Sequence, residues 1–156
     1  MNQELEARIL RLEDIESIRQ LKARYCFLCD DGYDADGLAE LFVEEAVWDG
    51  GDLGRAEGRD RIRRFFERSP SALSFAVHMV MNPLIEVDGD EATGVWYLYQ
   101  AATLVEGSQP LWGSARYDER YRRESDGWKF VSLELTSFFW TPFEEGWERR
   151  RSVFER

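Results

Sequence analysis

The stretch SFAVHMVMNPLIEVDGDEATGVWYLYQ, residues 74–100, decides the fold. Two runs of β-branched, aromatic and apolar residues flank an Asp-Gly-Asp turn at 88–90, the pattern of an antiparallel hairpin. The pattern continues downstream. The second run ends at EGSQP, LWGSARYDERYRRE ends at SDG, and WKFVSLELTSFFW closes the series before TPFEEGW. Upstream the period changes. Apolar residues at Leu5, Ile9, Leu12, Ile15, Ile18, Leu21, Tyr25 and Leu28 mark one stripe of a long helix over about 3–30, which Gly32 ends. A shorter helix is predicted at about 35–42 with Asp34 or Asp36 as its cap, and EAVWDGG reads as a short strand. GRDRIRRFFERSP forms a third helix that stops before Pro70. Helices first and a meander afterwards predict an α+β fold with a curved antiparallel sheet. It forms one domain over 1–156, with residues 144–156 as a C-terminal tail. Three helices covering one face of such long strands make the sheet curl around a pocket.

Composition excludes several function classes. The net charge of −11 repels phosphate backbones, so no nucleic acid is expected as a partner. The basic run Arg149–Arg151 lies in the tail and reads as a solvated or subunit-contacting segment. No apolar run approaches a membrane span, and MNQELEARIL carries acids where a signal peptide carries bases; cytoplasmic residence is expected, with no membrane partner. Cys26 and Cys29 form a C-x-x-C pair late in a helix, where the dipole opposes thiolate, and they read as reduced core thiols. With one histidine and no third cysteine, zinc lacks ligands. A calcium loop built on Gly37 puts Gly32 and Val43 in ligand positions. Neither a metal nor another cofactor is expected.

His78 is the single histidine and lies mid-strand. Alternation sets it on one face with Ser74, Ala76 and Val80, small or polar neighbours that leave room above the ring. Phe75, Val77, Met79 and Met81 take the other face, which suits tight packing or a subunit contact and points to a homodimer or homotrimer. Imidazole is the side chain best suited to move a proton near pH 7, and a core histidine satisfied by one hydrogen bond is the alternative. Strand alternation offers a lining of Leu133, Leu135 and Ser137, with Trp96 and Leu98 or, in the other parity, Tyr97 and Tyr99. Trp48 and Tyr117 complete a wall for a small hydrophobic substrate, with few buried charges. Ordinary core is the competing role for these residues.

The order of elements, with RYCFLCDDGYDADGLAELF, AVWDGG, EGRDRIRRFF, FAVHMVMNPLIEVDGDEATGVWYL and YDERYRRESDGWKF, resembles the SnoaL-like family of the nuclear-transport-factor-two-like superfamily over about residues 10–143. The resemblance implies a cone-shaped half-barrel closed by three helices. Within that family the phrases are most similar to bile-acid 7α-dehydratase and lindane dehydrochlorinase. Both carry an acid at the end of the first helix and a strand histidine, matched by Asp30 and His78; the dehydratase adds a tyrosine matched by Tyr25. Where the dehydrochlorinase has a lysine and a last-strand arginine, this chain has Tyr25 and Leu133, which favours loss of water over loss of halide. The implied activity is a cofactor-independent dehydratase-type lyase acting on a hydrophobic polycyclic or enone-like molecule. In it His78 removes a C–H proton, Asp30 orients His78 and Tyr25 assists the leaving hydroxyl. Asp31 competes with Asp30 for its role. An isomerase or polyketide-cyclase reaction at the same residues is the first alternative. The second is a non-catalytic subunit similar to the small subunit of ring-hydroxylating dioxygenases. On a regular helix Tyr25 and Asp30 stand ~140° apart, so both face one cavity only if the helix ends or tightens near Cys29.

Overall fold

The computed structural model describes residues 2–154. Helix α1 spans Gln3–Asp30, and the Asn2 side chain caps it by accepting the Glu4 N–H at 3.1 Å. Its apolar stripe covers more helix than it packs. Ile18, Leu21, Tyr25, Cys26 and Cys29 are buried, whereas Leu5, Ile9 and Leu12 are 46%, 39% and 66% exposed. Packing starts at Asp14, whose carboxylate accepts two bonds at 2.7 Å from Arg123 and one at 3.0 Å from Trp128 Nε1. Helix α2 spans Ala35–Glu40, and Asp34 settles the cap by accepting from Gly37 N–H at 3.1 Å.

Strand β1 (Phe42–Asp49) leads to the short strand β2 (Arg55–Glu57), which was not anticipated, and to helix α3 (Arg59–Ala72). Contrary to expectation, α3 runs through Pro70. Proline in the last turn removes one hydrogen bond, and Ala72, beyond the expected stop, joins Ser69 in lining the concave side. Four long strands follow: β3 (Leu73–Asp88), β4 (Glu91–Leu104), β5 (Gln109–Glu124) and β6 (Gly127–Pro142).

Among the described residues the strands form one curved sheet in the order β2-β1-β6-β5-β4-β3, and it does not close into a barrel. The hairpins are antiparallel as expected, but β1 pairs with β6 in parallel, so the sheet is mixed. The chain returns to β1 only after crossing the whole meander, and that long crossover permits a parallel neighbour. Register shifts at Met81/Leu84 in β3 and twice between β5 and β6 bend the sheet. Pro83 falls at the first of these, on an edge strand where its missing N–H breaks no ladder bond. The helices fill the concave side and the core lies between. Up to Phe154 the tail folds back on the sheet. After a single-turn helix α4 (Gly146–Arg149) it returns along β6, where Trp140 N–H donates to Arg151 O and Val153 N–H to Trp140 O, each at 2.9 Å.

Candidate active site

One end of the concave face is open, leaving a cavity of about 240 Å³. β3 carries His78 to its wall, and the side chain is 8% exposed. Its Nδ1 lies 2.6 Å from Asp30 Oδ1, and its backbone N–H donates to the same oxygen at 2.9 Å. The last residue of α1 is thus tied to mid-strand β3 by two bonds to one atom. An ionised carboxylate only accepts, so the bond fixes the proton on Nδ1 and leaves the Nε2 lone pair free. Asp31 is the C-cap of α1, its N–H donating to Phe27 O at 2.9 Å.

Tyr25, one turn and a half earlier, lines the cavity itself. Helix α1 ends at Asp30, one residue past Cys29. The ~140° between the two side chains is accommodated because Tyr25 faces the hollow while Asp30 turns to β3 behind His78. The Tyr25 hydroxyl accepts from Trp48 Nε1 at 3.0 Å, and Phe42, Phe66 and Phe130 meet its ring edge-on at 6.3, 6.1 and 5.7 Å. Burial pushes its pKa well above the ordinary phenol value, so it is a neutral donor. Trp48 lies 4.3 Å from Phe65 between ring centres, and both line the cavity. Cys29 also lines it, and burial holds its thiol neutral; Cys26 is pushed up to about 11 by burial.

Of the expected lining, Trp48, Tyr117 and Leu135 face the hollow, while Trp96, Leu98, Leu133 and Ser137 do not. On β4 the cavity reaches Gln100 and Leu104, so Trp96 and Leu98, nearer the 88–91 turn, belong to solid core. Leu133 is fully buried opposite Trp48. Ser137 lies beyond the last β1 pair, Asp49 with Glu134, and its exposed hydroxyl accepts from Trp140 Nε1 at 3.0 Å. Residues not foreseen complete the wall: Gln100, Tyr33, Leu111, Trp140 and, from the tail, Phe154. Trp140 needs Gly113 opposite it, because a Cβ there would stand 2.1 Å from the indole ring.

The expectation of few buried charges misses an ion pair in the core. Lys22 Nζ bonds Glu119, both side chains fully buried. Tyr121 OH donates to the second Glu119 oxygen, and Trp96 Nε1 donates to Tyr121 OH at 3.0 Å. Lys22 Nζ also sits 3.3 Å from the centre of the cavity-lining Tyr117 ring. Among the described residues no three His, Cys, Asp or Glu side chains converge as metal ligands would.

The sequence profile of the SnoaL-like domain matches residues 10–134. An uncharacterized protein of Mycobacterium tuberculosis is 26% identical over 133 residues, covering 84% of this chain and 90% of the relative. Among solved structures, a hexachlorocyclohexane dehydrochlorinase of Novosphingobium barchaimii superposes with a TM-score of 0.77 at 24% identity, over 85% of this chain and 92% of that one. A candidate scytalone dehydratase of Novosphingobium aromaticivorans gives 0.77 at 21% identity, over 85% and 89%. At these identities the structures bear on the fold.

Proposed function

The chain belongs to the SnoaL-like domain family, and we propose that it is a cofactor-independent lyase that removes water from a small, mostly apolar ring compound. The observation that carries this reading is the 2.6 Å contact between His78 Nδ1 and Asp30 Oδ1 at the wall of an apolar cavity. Asp30 holds the ring with Nε2 toward the substrate, His78 takes a proton from carbon, and Tyr25, neutral in its buried setting, protonates the departing hydroxyl. Fold neighbours described as a dehydrochlorinase and a candidate dehydratase support an elimination. The open cavity argues against a purely structural subunit. The cavity, about 240 Å³ and lined mostly by aromatic and aliphatic side chains, suits a small hydrophobic guest.

The test is turnover of a panel of bicyclic hydroxyketones, followed by the absorbance of the new conjugated double bond. His78→Ala should fold normally and lose about 10²–10⁴-fold in kcat. Full activity in that variant would remove the mechanism.

Self-association is part of the same reading. The convex sheet face exposes Phe75, Met79, Met81, Leu84, Tyr97 and Phe138, with Arg116 across the ladder from Tyr97, on a chain whose net charge is −11. An apolar patch of this kind on a highly charged molecule fits a contact between copies. No helix among the described residues is long and apolar enough to cross a membrane.

A further inference from the structure

The concave face carries a polar side chain that the mechanism above does not use. Gln100 stands directly across the β3–β4 ladder from His78. Residues so placed share one face of the sheet with Cβ atoms about 4.5–5.5 Å apart. Gln100 is 3% exposed and lines the cavity. Its amide bonds no other described residue, yet no buried side-chain nitrogen or oxygen is left both enclosed and unpaired. Both amide atoms therefore open on the hollow. Its neighbours along the inward row of β4, Trp96, Leu98 and Ala102, are apolar. A primary amide buried without a partner costs stability that leucine or methionine would not, and it presents two donors and an acceptor to whatever enters.

We propose that the Gln100 amide N–H donates to a substrate carbonyl oxygen adjacent to the carbon that His78 deprotonates, so that the site selects β-hydroxyketones. The assignment rests on the proton-transfer reading of His78. The C–H bond breaks, its proton goes to Nε2, and its electron pair forms the carbon–carbon π bond of an enolate whose oxygen carries the charge. Gln100 holds that oxygen with a neutral donor, which strengthens as charge develops. The enolate then reforms the carbonyl and expels the β-hydroxyl, which takes the Tyr25 proton and leaves as water. The imidazolium returns its proton to the Tyr25 oxygen, so both side chains end as they began and no redox partner enters.

The test compares binding of 2-naphthol, a flat bicycle with one oxygen in the enolate position, with binding of naphthalene. Wild type should prefer the naphthol by about 10-fold or more. Gln100→Met should bind naphthalene as before, lose the preference, and melt at the same or a higher temperature than wild type. His78→Ala, which keeps the amide, should retain the preference while losing deuterium exchange into 2-tetralone. Absence of that exchange in wild type, with the naphthol preference intact, would strike the reading of His78 and leave Gln100 as an oxygen-binding residue. A preference that survives Gln100→Met, or a wild type that shows none, overturns the proposal. If neither Gln100→Met nor Gln100→Leu folds, the amide is structural and the proposal also falls.

Discussion

Asp30 acts on His78 through a single oxygen, Oδ1, which accepts from both the ring and the backbone N–H of the same residue. Asparagine can keep the backbone bond through its carbonyl oxygen, but it has no charge with which to stabilise an imidazolium. Asp30→Asn should therefore lower kcat about 10²-fold or more, with little change in KM. Equal kcat in a steady-state comparison would count against the pairing. Tyr25 gives a prediction of opposite kind. Because burial raises its pKa, the neutral form persists to higher pH than a free phenol allows. The alkaline limb of the kcat–pH profile should then show no loss from Tyr25 near the ordinary value of about 10. A limb near that value, absent in Tyr25→Phe, would contradict the assignment.

At the scale of elements, two devices set the cavity: the anchor of α1 and the returning tail. Asp14 fixes α1 on the β5–β6 hairpin, and its hydrogen bonds from Arg123 hold its carboxyl below the usual range. The folded value is depressed relative to the unfolded one of about 3.9. Its stabilisation is thus complete above that value and is lost as pH falls through the folded value. Asp14→Asn should cost about 2 kcal/mol at neutral pH, and the deficit in urea denaturation should shrink below about pH 4. A deficit that stays constant under acid would place the effect elsewhere. At the other end Phe154 meets Trp140 at 6.0 Å, edge to face, over the cavity. Phe154→Ala should raise KM while kcat stays close to wild type, and an unchanged KM would mean that the tail takes no part in binding.

For the whole molecule, self-association through the convex face predicts that Met79→Glu combined with Met81→Glu yields a monomer in sedimentation experiments. A wild-type monomer would exclude that contact. The strand alternation that singles out this face was legible at 75–81, where its period of two is unbroken; a register shift at Leu73/Phe75 takes Ser74 out of the row with His78, and the turns at 88–90 and 125–127 located the hairpins. The parallel β1–β6 pair was not legible, since partners far apart in the chain leave no local pattern. His78 was legible as the lone histidine in mid-strand, its partner Asp30, 48 residues away, came from resemblance, and the fold brings the two into contact. The rest of the lining depended on where the cavity stops along each strand. Alternation gives a residue's face but not its depth, so Trp96 and Leu98 were assigned too near the mouth and Gln100 was passed over. The Lys22–Glu119 pair was missed because helical spacing identifies a buried stripe by its apolar members, and Lys22 breaks that rule inside the core.

The central claim is the state of one ring, and the chain has only one histidine to report it. Nitrogen-15 NMR of the imidazole near neutral pH should find the proton on Nδ1 and a bare Nε2, the reverse of the tautomer that free histidine prefers, with the Nδ1 signal moving in Asp30→Asn. A ring protonated on Nε2 in the wild type, or a spectrum indifferent to Asp30, would contradict the account.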